Sequence, residues 1–253
     1  MQLTYGQRIS PFPVYMQGVG HFKSPKMADI YDPDVGDSVY YTYLCLLSDN
    51  SNVVLKLIGK ESFLSASVLR SVKTFDLWCA LPDEYIQMLL LALKFFIIED
   101  VVFDKERHII SVLSNEQEVG MISRDNFSEV CDLIKQLNVL SRKEIDSHET
   151  IRFRNEAARK LHEQLYGNNL EQESEQRRDL ELSNLISAIA TRSRNYNYDN
   201  IWNLTVCQLY DVFFRENNNI AIDAAIRRWC IWGTDKCDIM DEWYKPIDLK
   251  EEK

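Results

Sequence analysis

Residues 83–122, DEYIQMLLLALKFFIIEDVVFDKERHIISVLSNEQEVGMI, change period partway along and so decide the fold class. Pro82 precedes the stretch, and Asp83 and Glu84 fill what would be the first helical turn, where carboxylates favour the positive end of the helix dipole. The run Tyr85 to Ile98, YIQMLLLALKFFII, is apolar over 14 residues apart from Gln87 and Lys94. A bilayer span needs roughly 20 apolar residues, so it reads as a core helix and no membrane partner is expected. From residue 100 the pattern becomes VVF, HIISVL and VGMI, short β-type runs with the first two joined by the charged Asp104-Lys105-Glu106-Arg107. That predicts a hairpin or a three-stranded meander.

Working outward, Arg124-Asp125-Asn126 leads into the amphipathic FSEVCDLIKQL, with Asp125 or Asn126 as the cap. On the N-terminal side, Asp37 to Leu47 and the spacing of Phe63, Leu64, Val68, Leu69, Val72 and Phe75 predict helices. FPVYMQGVGHFK, residues 12–23, predicts a short hairpin broken at Gly18 and Gly20. Lys26 to Tyr31 is expected to make one helical turn, with Ser24 capping and Pro25 at its first position.

The last third is expected to be helical. Leu180 to Ala190 places Leu182, Leu185, Ile186 and Ile189 on one face, and NYNYDN at 195–200 breaks the pattern. IWNLTVCQLYDVFFREN then carries Thr205 and Gln208 at capping-box spacing, with Leu204 and Leu209 where a hydrophobic staple falls. Asn217-Asn218-Asn219 is expected to end that helix, and a further one to run through AIDAAIRRWCIW to Gly233.

The expected fold is α+β and mostly helical. An N-terminal α+β region with short β-hairpins and helices spans 1–145, a mainly helical region spans 150–245, and DLKEEK ends a disordered tail over 246–253. The highly charged 141–160 marks the boundary, and GNNLEQESEQRR, 167–178, reads as a flexible connection.

Composition narrows the function. The net charge is −10, and neither 1–150 nor 151–253 has a basic excess, so a phosphate backbone is not the expected partner. Arg192-Ser-Arg194 beside Tyr196, Tyr198 and Trp202 mixes cations and aromatics as single-strand binders do, but a helix–helix junction is the simpler reading. Six cysteines form no CxxC pair and most lie in apolar runs, as small buried side chains do in a reducing compartment. The four histidines have no ligand spacing, and Glu99-Asp100 is more simply a solvated helix end than an acid–base pair. No dinucleotide fingerprint, phosphate loop or nucleophile elbow occurs. The expectation is therefore a non-enzyme with no catalytic residue, metal or cofactor site. The anomaly is aromatic density: Trp202, Tyr210, Phe213, Phe214, Trp229 and Trp232, followed by Trp243 and Tyr244, at spacings that one helix face does not bury together. The first six are the candidate partner-binding residues; the simpler alternative is that they build a core.

Two motifs flank the short-strand region and the helix after it. One is Gly20-His-Phe22-Lys-Ser-Pro25-Lys-Met-Ala-Asp-Ile30; the other is Ile201-Trp202-Asn-Leu204-Thr205-Val-Cys-Gln208-Leu209-Tyr210-Asp211, a W-x-L-T-x-x-Q-L-x-D pattern. With that layout the chain resembles tail-assembly proteins of tailed phages and prophages of Gram-positive bacteria, the tail assembly chaperones. The resemblance implies a protein of the host cytoplasm that holds the tape-measure protein soluble, helps recruit tail-tube subunits and leaves the finished particle. Some chaperones of this kind are made in short and frameshift-extended forms. No catalytic residue is carried over. A structural tail or baseplate component retained in the virion is the alternative expectation, and an enzyme of unknown class the second.

Overall fold

A computed structural model of the chain describes residues 1–57, 72–139, 181–232 and Ile247. The fold is α+β, with two small antiparallel sheets among helices and a helical C-terminal region. In chain order the elements are α1 (Tyr5–Ile9), β1 (Val14–Met16), β2 (Gly20–Phe22), α2 (Met27–Ile30), α3 (Gly36–Leu46), α4 (Ser51–Leu57), α5 (Thr74–Cys79), α6 (Asp83–Phe96), β3 (Asp100–Asp104), β4 (Ile109–Ser114), β5 (Gln117–Ile122), α7 (Phe127–Leu137), α8 (Leu182–Arg192), a 3-10 turn (Ile201–Asn203) and α9 (Val206–Trp232).

Helix α6 starts at Pro82 as the sequence requires and buries Ile86, Leu89, Leu90, Ala92, Leu93 and Phe96. Each Leu or Ile so buried stabilises the fold by about 1.5–3 kcal/mol relative to an exposed one. The helix ends at Ile97, whose backbone turns extended and pairs with Phe22, while the amide of Ile98 donates to the carbonyl of His21 at 3.0 Å. Strands β3, β4 and β5 follow as the expected meander. Its first turn is held by Asp104, whose carboxylate accepts the amides of Glu106 and Arg107. Its second is a two-residue turn with Asn115 and Glu116 both at positive φ, the geometry that matches the strand twist.

Hairpin β1–β2 meets the meander backbone to backbone. The amide of Met121 donates to the carbonyl of Gly18 at 2.9 Å, and a Cβ on Gly120 would lie 2.3 Å from the carbonyl oxygen of Val19. Only glycine fits such an approach.

Helix α7 starts where expected, but Asn126 does not cap it with its side chain. The Asn126 amide instead accepts the backbone N–H of Ser123 at 2.7 Å and donates to the Met121 carbonyl at 2.8 Å, which ties β5 to the helix. Ser24 does not cap α2. The chain stays extended through Lys26, which forms a bridge with Thr205, and the amide of Lys26 is taken by Asp29 at 3.1 Å. Pairing across 179 positions has displaced the local cap.

The expected break at Asn217-Asn218-Asn219 is absent: α9 is continuous from Val206 to Trp232. Asn costs a helix only a few tenths of a kcal/mol per residue, which packing of neighbouring turns outweighs. Buried side chains of the C-terminal region, among them Leu185, Ile201 and Leu209, belong to the same buried cluster as Phe22, Tyr40, Phe96 and Phe127. The helix expected over 62–80 is described only from residue 72, where Lys73 is extended and α5 begins at Thr74. The boundary expected at 145–150, the earlier part of that helix, the connection at 167–178 and the tail expected over 246–253, apart from Ile247, lie outside the described residues.

Candidate functional site

The candidate residues lie on α9 and on the loop that leads into it. That loop is organised by asparagine. The Asn197 carboxamide oxygen accepts the amides of Asp199 and Asn200, and Asn200 returns bonds to the amide of Asn197 and the carbonyl of Asn195. The indole N–H of Trp202 donates to the Tyr198 carbonyl at 2.6 Å, and its ring meets Tyr31 edge-on at 5.9 Å. Burial holds the Tyr31 phenol well above its usual range. Trp202 is thus half-buried and anchored to the body of the protein.

The helix then starts as its sequence predicts. The Thr205 amide donates to the Gln208 carboxamide at 3.0 Å, and the Gln208 amide lies 3.4 Å from the Thr205 hydroxyl. The same Gln208 donates through Nε2 to the carbonyl of Ile9 at 2.8 Å, and Met27 donates its amide to the carbonyl of Leu204 at 2.9 Å. Cys207 donates its thiol to the Leu137 carbonyl at 3.2 Å; burial pushes that thiol up to about 12.

One turn on, a polar triad joins the two ends of the described chain. The Tyr5 hydroxyl donates to the Asp211 carboxylate, and Arg215 donates to the Tyr5 oxygen at 2.8 Å and to Asp211 at 3.3 Å. Burial, and then the bond to Asp211, raise the Tyr5 pKa; the bond to Tyr5 raises that of Arg215. Sequence separation of 206 residues hides this pair from any local pattern.

Tyr210, Phe213 and Phe214 are half-buried, with Tyr210 and Phe214 stacked at 6.3 Å and Phe213 edge-on to Phe214 at 5.7 Å. Beyond them, Ile222 and Ala225 remain buried, and Trp229 continues their helical stripe with 49% of its surface exposed. Ile231, on another side of the helix, is 71% exposed. The candidate set therefore divides: Trp202 is fixed to the body, Tyr210, Phe213 and Phe214 form a ring cluster at its margin, and Trp229 faces outward. Trp232 closes the helix; its side chain, with Trp243 and Tyr244, lies outside the described residues. Cys230 is exposed, which corrects the expectation for that cysteine, while Cys45, Cys131 and Cys207 are buried, Cys79 is half-buried and Cys237 lies outside the described residues.

Arg192 and Arg194, expected at a helix–helix junction, lie where α8 gives way to the loop. They line a cleft of about 710 Å³ with Glu216, Asn219 and Asp223 of α9. Glu99 is not a solvated helix end. Its carboxylate, 10% exposed, accepts the His21 backbone amide at 2.9 Å and lies 2.6 Å from the His21 ring nitrogen Nδ1. Burial raises its pKa, but the bonds from His21 outweigh that and leave it lowered. Asp100 beside it is solvated. Among the described residues no three His, Cys, Asp or Glu side chains come together as metal ligands, and no helix is long and apolar enough to cross a membrane.

Residues 172–248 match a family model described as YomV second domain, and the matched span contains α8, the 3-10 turn and α9. No curated protein and no solved structure is detectably similar to the chain. YomV is a protein of Bacillus phage or prophage type, so the likeness of this C-terminal stretch suggests a phage-related protein.

Proposed function

We propose that the chain is a non-enzymatic tail assembly chaperone of a tailed phage or prophage, acting in the host cytoplasm by binding the tape-measure protein, tail-tube subunits or both. The observation that carries this reading is the outward end of α9. A helix held at its base by bonds from Thr205, Gln208 and Asp211 keeps an apolar stripe running past Ala225 to the half-exposed Trp229, with Ile231 exposed nearby. Exposed aromatic and aliphatic side chains on a fixed scaffold are the usual anchors for an amphipathic helix of another chain. The likeness of this region to a phage-type domain supports the biological setting.

The test is co-expression with the tail proteins encoded beside it, followed by pull-down. Copurification of a long coiled-coil protein is the expected result. Replacing Trp229 by Ala together with Ile231 by Asp should lower the captured amount by about tenfold or more, with helicity unchanged. Undiminished capture would remove α9 as the binding element. A stable homomeric ring without a client would place the chain among structural tail components instead.

A further inference from the structure

Helix α8 ends at Arg192, and the loop after it carries Arg194 past the middle of α9, leaving a cleft of about 710 Å³ between them. One wall holds the two arginines. The other is α9 itself, which lines the cleft with Glu216, Asn219, Ile220 and Asp223. Positions i, i+3, i+4 and i+7 share one helix face, so Glu216 and Asp223 stand two turns apart, about 10 Å along the axis. Ile220, half-buried, and Ile222, buried, add apolar surface. Among the described residues the side chains of Arg192, Arg194, Glu216 and Asp223 form no hydrogen bond or ion pair. Opposite charges therefore face each other across open space without closing on one another.

We propose that this cleft seats one helix of another polypeptide, with basic residues seven apart along one flank, acidic residues along the other and apolar residues between. The basic flank meets Glu216 and Asp223, and the acidic flank meets Arg192 and Arg194. A seven-residue repeat keeps a row of side chains on one flank of a helix that lies along α9. An extended segment does not suit the site, because α9 bonds its own main chain and offers no strand edge to pair with. A nucleic-acid strand does not suit it either: the two arginines would draw its phosphates toward Glu216 and Asp223. Neither Trp229 nor Ile231 lines the cleft, so the site stands apart from the function proposed for them.

The test is fluorescence anisotropy of the full chain at about 0.15 M salt. The probe is a labelled, alanine-based helical peptide of about three heptads, with leucine in the seam, lysine on one flank and glutamate on the other. Saturable binding is expected. A peptide of the same composition with both signs mixed on each flank should bind about tenfold more weakly. Glu216→Lys with Asp223→Lys should weaken the first peptide about tenfold and shift preference to one with glutamate on both flanks. Arg194→Glu, in an exposed loop, should weaken the first peptide about tenfold with an unchanged circular dichroism spectrum. Trp229→Ala with Ile231→Asp should leave its affinity unchanged. No saturable binding, equal binding of the mixed-flank peptide, or indifference to the charge reversals would overturn the proposal. Loss of binding with Trp229→Ala and Ile231→Asp would overturn it too, by moving the peptide to the outward end of α9. So would a labelled single-stranded oligonucleotide that binds saturably and weakens with Arg194→Glu, or a dimer of the chain that Arg194→Glu abolishes, by assigning the cleft to nucleic acid or to a second copy.

Discussion

The two ends of α9 are made of similar residues and have opposite surroundings. Near its start, Val206, Cys207 and Leu209 are buried, and side chains of the same turns bond to the last residue of α1, to α7 and to Tyr5. Near its finish, Trp229, Cys230 and Ile231 are exposed. The difference teaches that apolar content alone does not say whether a helix end stabilises a fold or is held out for a partner. What decides is whether polar side chains of the same turns find distant partners.

The largest expected effect is at the base. Leu209→Ala should destabilise the protein by about 2–5 kcal/mol in urea titration, because a fully buried Leu leaves a cavity. Tyr5→Phe removes the hydroxyl that Asp211 and Arg215 share and should cost about 1–2 kcal/mol; an unchanged midpoint would mean the triad does not hold the helix. Thr205→Ala should cost about 1 kcal/mol through the lost cap, read in the same titration. Two cysteines of the one helix sharpen the contrast. Thiolate is the reactive form, and Cys207, buried and with its thiol pushed up to about 12, is protonated at pH 8. Native-state alkylation at pH 8, followed by mass spectrometry, should label Cys230 more than about a hundredfold faster than Cys207. Comparable rates would show that the base of α9 opens readily. The smallest effect is expected at the far end, where Ile231→Ala should shift stability by no more than about 0.5 kcal/mol.

Much of the architecture was readable from local pattern. The change of period at residues 97–100, the proline and acids at the start of α6, and the Thr205–Gln208 capping box each rest on chemistry within a few positions, and each forms. Helix α1 is short and lacks an apolar stripe, yet Thr4 and Gln7 have the same capping-box spacing and close it. The departures have tertiary causes. Lys26 stays extended because Thr205 pairs with it, Glu99 is withdrawn from water because His21 donates to it twice, and the asparagines of α9 remain helical within a packed helix. Of the candidate partner-binding residues, the sequence supplied the set but not its division, since the burial of Trp202 depends on Tyr31 and the exposure of Trp229 on where the body of the protein stops.

The glycine at 120 has a consequence for alignment of the two sheets. β5 carries its irregularity between the partners of Val112 and Leu113, so Val119 and Met121 flank the one position without a side chain. Side chains alternate along a strand, so sliding the β1–β2 hairpin by two residues toward the end of β5 would drive Ile122, on the same face as position 120, into the Val19 carbonyl. Gly120 therefore works as a register lock: it restricts how hairpin and meander can align, and it does so by steric exclusion at the one position where the Val19 carbonyl comes closest.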